Sequence, residues 1–192
     1  TVTYQDEAGT SVDKPTNVGK YTLTITEVTG GNYTFDGTDG KNTAEFEILP
    51  ADQKPLTITG TRERVYYGDT IQLGTTGGNG TIAWAVNGDT IASIDEDTGL
   101  LKITGVGSVT VTATSTKTGY ADQTGTWNLY AEKKPVTVLV TAASKTYDSN
   151  SAAAVTATLQ TSDFVGTDSF TITLNGCTFE DPNAGTDKKV NV

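Results

Sequence analysis

The 192-residue chain contains no histidine, no methionine and one cysteine, Cys177. The missing histidine removes Ser-His-Asp and Cys-His catalysis and every imidazole metal site from this chain. One cysteine permits neither an internal disulfide nor a paired-thiol metal or redox motif. No run of 18 apolar residues occurs, so no segment reads as a membrane-spanning helix. Basic residues are also scarce: 13 Lys and Arg face 23 Asp and Glu, a net charge of −10. That balance opposes nucleic acid and anionic lipid, both of which need cations to replace counterions. With no starting Met and no secretory leader in view, the chain reads as an internal piece of a longer protein.

Threonine is abundant, with 39 residues, and is accompanied by 21 glycines. A β-branched hydroxyl side chain is stiff at χ1 and remains hydrated, which suits the outer face of a strand. The ordered-looking segments alternate with a period of two: "YTLTIT" (21–26), "LTIT" (56–59), "VTVTAT" (109–114), "VTVLV" (136–140) and "FTITL" (170–174). This is the pattern of half-buried strands, and no stretch of ten residues carries helical spacing. Turn pairs such as Asn87-Gly88 and Asn175-Gly176 punctuate these runs. The expected fold is therefore all-β: tandem immunoglobulin-like β-sandwich modules in an extended array, with almost no helix.

Two segments read as joints. "ILPADQKPLTI" (48–58) and "YAEKKPVTV" (130–138) each end a strand, add charge and proline, and restart with alternating apolars. The correspondence of Lys54-Pro55-Leu56-Thr57-Ile58 with Lys134-Pro135-Val136-Thr137-Val138 suggests equivalent places in an array. Three pieces result, 1–53, 54–134 and 135–192. The middle one is large enough for a complete core and the outer two are near the lower limit.

Residues 68–114, with Trp84 on a central strand, "IASID" and the closing "GVGSVTVTAT", resemble a bacterial immunoglobulin-like group 2 domain. The last piece resembles the YDG repeat of bacterial surface proteins, through Tyr147-Asp148, the Asp168 strand and "DPNAGTDKKV"; Ser149 stands where that repeat has its naming glycine. The first piece, with "PTNVGKYTLTI" and "FEILP", is similar to the end of an MBG-type surface repeat. These resemblances imply secreted or wall-attached proteins whose β-modules form stalks or present adhesive tips, and they imply no catalysis.

Asp95-Glu96-Asp97-Thr98-Gly99 places acids at positions 1 and 3 of a calcium loop, but Leu100 stands at position 6 and Val106 at position 12. A turn between two strands is the better reading. A glycosidase needs two carboxyls held across a cleft, which thin sandwiches do not provide. Cys177 reads as a small buried hydrophobe. Trp84, alternating with Ile82 and Val86, is expected in the core, and Trp127 with Leu129 in the core or at a joint.

Tyr66 and Tyr67 are adjacent, so on a strand they face opposite sides and one is expected to be exposed. Tyr67, Tyr120 and Trp127 are the candidate ligand-binding residues, with stacking on a sugar ring as their chemistry. Gram-positive surface sandwiches can carry an internal Lys–Asn or Lys–Asp link beside an acid; Lys102 and Lys145 are candidates, though no spacing pairs them. No catalytic residue, metal or cofactor is expected. The expected partners are host or matrix glycans or proteins, approached by a monomer outside the cell. The alternative is a carbohydrate-binding accessory region of an exported glycoside hydrolase.

Overall fold

A computed structural model describes residues 1–192 and contains strands, turns and one three-residue 3-10 turn, Thr161–Asp163. The chain is all-β, and its sheets fall into three stretches of sequence.

The first stretch forms one antiparallel sheet from β1 (Val2–Asp6), β2 (Ser11–Val12), β3 (Gly19–Ile25) and β4 (Thr43–Ile48), in the order β2-β1-β3-β4. Its single buried residue is Tyr21, on β3. The Tyr21 ring stacks on Phe46 with centroids 5.6 Å apart, and Tyr4 meets Phe46 edge-on at 6.2 Å. Cross-strand aromatic contact of this kind adds to area burial, and it covers Tyr21 while Phe46 itself stays 37% exposed.

The second stretch is a sandwich. Its strands are β5 (Thr57–Thr59), β6 (Val65–Tyr66), β7 (Thr70–Gln72), β8 (Gly74–Thr76), β9 (Thr81–Asn87), β10 (Ala92–Ile94), β11 (Leu100–Ile103), β12 (Gly107–Thr116) and β13 (Gln123–Glu132). One sheet runs β10-β11-β7 and the other β6-β13-β12-β9, with β5-β8 as a separate pair. The long β12 pairs antiparallel with both β13 and β9, placing Val111 opposite Trp127 on one side and Ala113 opposite Trp84 on the other. Alternation along β12 turns Val109, Val111, Ala113 and Ser115 inward and leaves the threonines between them partly hydrated. Val109, Val111 and Ala113 join Ile71, Leu101, Ile103 and Trp84 in one hydrophobic cluster of 13 buried residues, against which Ile82, Val86, Trp127 and Leu129 pack.

The third stretch contains two short hairpin-like pairs: β14 (Val138–Ala142) with β15 (Val155–Leu159), and β16 (Thr178–Phe179) with β17 (Val190–Asn191). None of its residues is buried. The expected strand at 170–174 is absent, as is any strand at Asp168, and Phe170 and Leu174 are exposed. Alternation describes which face a residue would take; a strand also needs a neighbour to bond its backbone, and this segment has none. Cys177 is half-buried rather than fully enclosed, because a two-stranded pair offers only one covering layer.

Candidate functional site

The acidic segment 95–99 is the turn between β10 and β11. The Asp95 carboxylate accepts the Thr98 N–H at 2.8 Å and the Thr98 hydroxyl at 2.7 Å, and Gly99 N–H donates to the Asp95 carbonyl at 2.9 Å. The Thr98 hydroxyl, then its N–H, holds the Asp95 carboxyl below its usual pKa. Gly99 has φ +71°, and a Cβ there would press into the Trp84 indole at 2.7 Å. The turn therefore needs glycine for two reasons, backbone conformation and close approach to the core tryptophan.

The same local chemistry recurs at the other perturbed acids. Thr38 lowers Asp36, Lys145 and the Asn150 N–H lower Asp148, and Lys188 and the Asn183 N–H lower Asp181. A carboxyl that is to donate a proton near neutrality has to be raised instead. These acids are turn locks, kept ionised by the hydrogen bonds that close their turns. No three His, Cys, Asp or Glu side chains converge as a metal cluster.

The three aromatic candidates occupy different places. Tyr120 sits in the hairpin between β12 and β13, where the Lys117 ammonium lies 4.3 Å from its ring centroid and its residue bridges to Ala51. Tyr67 follows β6 and donates its N–H to the Glu132 carbonyl at the far end of β13. Ten residues of β13 separate those ends, roughly 30 Å at the rise of an extended strand. Trp127 lies mid-strand in phase with Gly125, Leu129 and Ala131, packing against the core. The three do not form one platform. The expectation that either Tyr66 or Tyr67 is exposed is also corrected: both are half-buried, because the short β6 is followed at once by a turn. The most open tyrosines are Tyr33, Tyr130 and Tyr147, and only the outward phase of Tyr130 on β13 could have signalled its exposure.

Gln53, inside the stretch read as a joint, is buried in the sandwich. Its amide donates to the Ser115 carbonyl at 2.8 Å and the Ala121 carbonyl at 2.9 Å, while its oxygen accepts from Asn79 N–H at 2.8 Å and the Ser115 hydroxyl at 2.7 Å. All four hydrogen-bonding positions of the amide are filled. Ser115 in the inward phase of β12 was the one available signal that a polar partner had to exist.

In the third stretch a cleft of about 550 Å³ opens between the Lys145–Asn150 loop and the Asp181–Lys188 turn, with Tyr147 and Phe179 among its walls. Lys145 pairs with Asp148 at 2.9 Å and donates to the Asn150 carbonyl at 2.6 Å and side-chain oxygen at 3.2 Å. Lys188 pairs with Asp181. Attack of a lysine on an asparagine side chain requires a neutral amine and a protonated acid beside it. Here Lys145 holds the Asp148 carboxyl below its usual pKa, the opposite of the protonated acid that step needs, so the trio is a loop clasp rather than a primed cross-link. Lys102, on β11, is exposed.

Among known proteins, residues 132–192 match the YDG domain family. No curated protein matches the chain. Among solved structures, the intimin–Tir90 complex is similar at 21% identity and a TM-score of 0.35, over 52% of this chain and 53% of that one. An intimin mutant of EHEC O157:H7 gives 25% identity and 0.30, over 49% and 50%. Mouse clustered PcdhgC3 EC1-3 gives 16% and 0.32, over 69% and 52%. The chain spans about half the length of each of these solved chains. Sequence comparison thus bears on the last third alone, residues 132–192, which are similar to the YDG domain.

Proposed function

We propose that the chain is a non-catalytic set of β-modules from a bacterial surface or secreted protein, acting as a spacer that can present a ligand-binding face. The division is a module at 1–53 of MBG type, whose last residues Ala51 and Gln53 bond into the next module, an immunoglobulin-like group 2 module at 54–134 and a YDG module at 135–192. The observation that carries the reading is how the ionisable groups are used. Asp36, Asp95, Asp148 and Asp181 each accept a backbone N–H of their own turn, at 3.0, 2.8, 3.1 and 2.7 Å, which is what carboxylates do when they hold loops in shape. The match of the last third to a YDG domain supports the same reading. Host or matrix glycans and proteins are the proposed partners and the chain is proposed to be a monomer, with Tyr67, Tyr120 or Trp127 contributing singly to any recognition.

The test is binding of the whole chain to a panel of glycans and matrix proteins at physiological salt. Saturable binding lost in Tyr120→Ala or Tyr67→Ala would establish recognition and locate its face. A negative panel together with an extended, monomeric particle in small-angle scattering supports a passive spacer. Turnover of a polysaccharide by the chain would overturn the reading.

A further inference from the structure

The connection between the sandwich and the third stretch is held at both ends. At its start, β6 pairs in parallel with Ala131 and Glu132, and Tyr67 N–H donates to the Glu132 carbonyl at 2.9 Å. At its end, Thr137 N–H donates to the Asp163 carboxylate at 2.8 Å, and the Thr137 carbonyl accepts from Gln160 N–H at 3.1 Å. Only 133–136 lie between these anchors, and Pro135 stiffens that span further.

The two anchoring loops also meet each other. Gly68, with φ +86°, faces Val165: a Cβ on Gly68 would overlap the Val165 Cγ2 methyl and lie 3.1 Å from its Cγ1. The Gly68 backbone is itself fixed, since its N–H donates to the Ile103 carbonyl at 3.0 Å and Asp69 closes the turn by accepting Tyr66 N–H at 2.9 Å. On the other side, Asp168 N–H donates to the Val165 carbonyl at 3.2 Å, shaping the loop that presents the valine. Asp168 also raises the pKa of the Tyr67 phenol.

We propose that the Tyr67–Gly68 turn is a module-docking surface whose partner is the 163–168 loop of the next module in the same chain. Glycine leaves a bare strip of backbone into which the apolar β-branched side chain of Val165 fits. The 133–136 connection then becomes one side of a closed bracket, and the two modules move as one body. The bracket is independent of the spacer reading, because a fixed joint serves a ligand-presenting face as well as a stalk.

The test uses the full 192-residue chain and residual dipolar couplings measured separately for amides of β12 and β13 and of β14 and β15. In the unaltered chain both sets are expected to fit one alignment tensor. Val165→Ser is expected to split them into two tensors, with β12 amide exchange unchanged as proof that the sandwich still folds. Gly68→Ala, which fills the strip, is expected to do the same. The proposal is overturned if the unaltered chain already needs two tensors, or if Val165→Ser still fits one. Neither result bears on whether the chain binds glycans or proteins, so failure here is separable from failure of the proposed function.

Discussion

Lys54-Pro55-Leu56-Thr57-Ile58 and Lys134-Pro135-Val136-Thr137-Val138 share one pattern, yet they end in different surroundings. Leu56 is 7% exposed and Ile58 8%, whereas Val136 is 38% exposed and Val138 46%. The first segment lies against β13, where Gly125 leaves room for the Leu56 backbone, and its neighbour Gln53 is bonded into the same sandwich. The second leads into β14, whose five residues are all exposed and which pairs only with β15. Of the 18 buried residues in the chain, all but Tyr21 lie between Gln53 and Ala131. Equal local patterns therefore give unequal cores. Burial requires a second layer, and only the middle stretch has two sheets facing each other.

This contrast can be broken most forcefully at Trp84. Trp84→Ala removes the ring that Gly99 and β12 pack around and should cost about 3–5 kcal/mol in denaturant unfolding. A loss below about 1 kcal/mol would mean that the sandwich is no better packed than its neighbours. Gln53→Leu comes next. It leaves the Ser115 and Ala121 carbonyls and the Asn79 N–H without their partner, with an expected loss of about 1–3 kcal/mol for a buried group so orphaned. Stability unchanged in that variant would show that residues 51–53 are linker after all.

On the exposed side the expected effects are small. Leu139→Thr, at a position 55% exposed on β14, should change stability by no more than about 0.5 kcal/mol. A larger loss would reveal a covering layer in solution. Acidification should separate the stretches in a similar way. Asp148 and Asp181 have folded pKa values below their unfolded ones, so what they contribute is present above the unfolded value and fades as pH falls through the folded one. Below about pH 4 the two loops around the cleft are expected to exchange amide protons faster while β12 stays protected. The smallest expected effect is none: intact mass should equal the sequence mass, since Lys145 and Asn150 form a clasp. A deficit of one ammonia would refute that reading.

Much of the sandwich was legible in order along the chain. Period-two threonine runs mark β5 and β12, as one does β3 in the first sheet, the Asp95–Gly99 segment reads as a turn, and Trp84 with Ile82 and Val86 reads as core; these are local signals, set by which side of a strand a residue occupies. Other features were not legible. Gln53 sits in a proline-flanked charged stretch whose composition says linker, and its partners Asn79, Ser115 and Ala121 are 26, 62 and 68 residues away. Tyr67 read as a candidate stacking surface because nothing near it in sequence announces Asp168. The FTITL run read as a strand because its alternation is clean, and alternation carries no information about whether a partner strand exists.

Composition and periodicity determined the fold class, the near absence of helix, the residue chemistries open to the chain and the turns that join its strands. Those properties follow from single residues and their immediate neighbours. Tertiary structure alone decided which threonine-striped strands acquire a second layer, that a presumed linker is part of a core, that the aromatic candidates lie apart, and that two loops about 100 residues apart meet at Gly68 and Val165. Each of those depends on contacts between segments far apart in sequence, which no local pattern records.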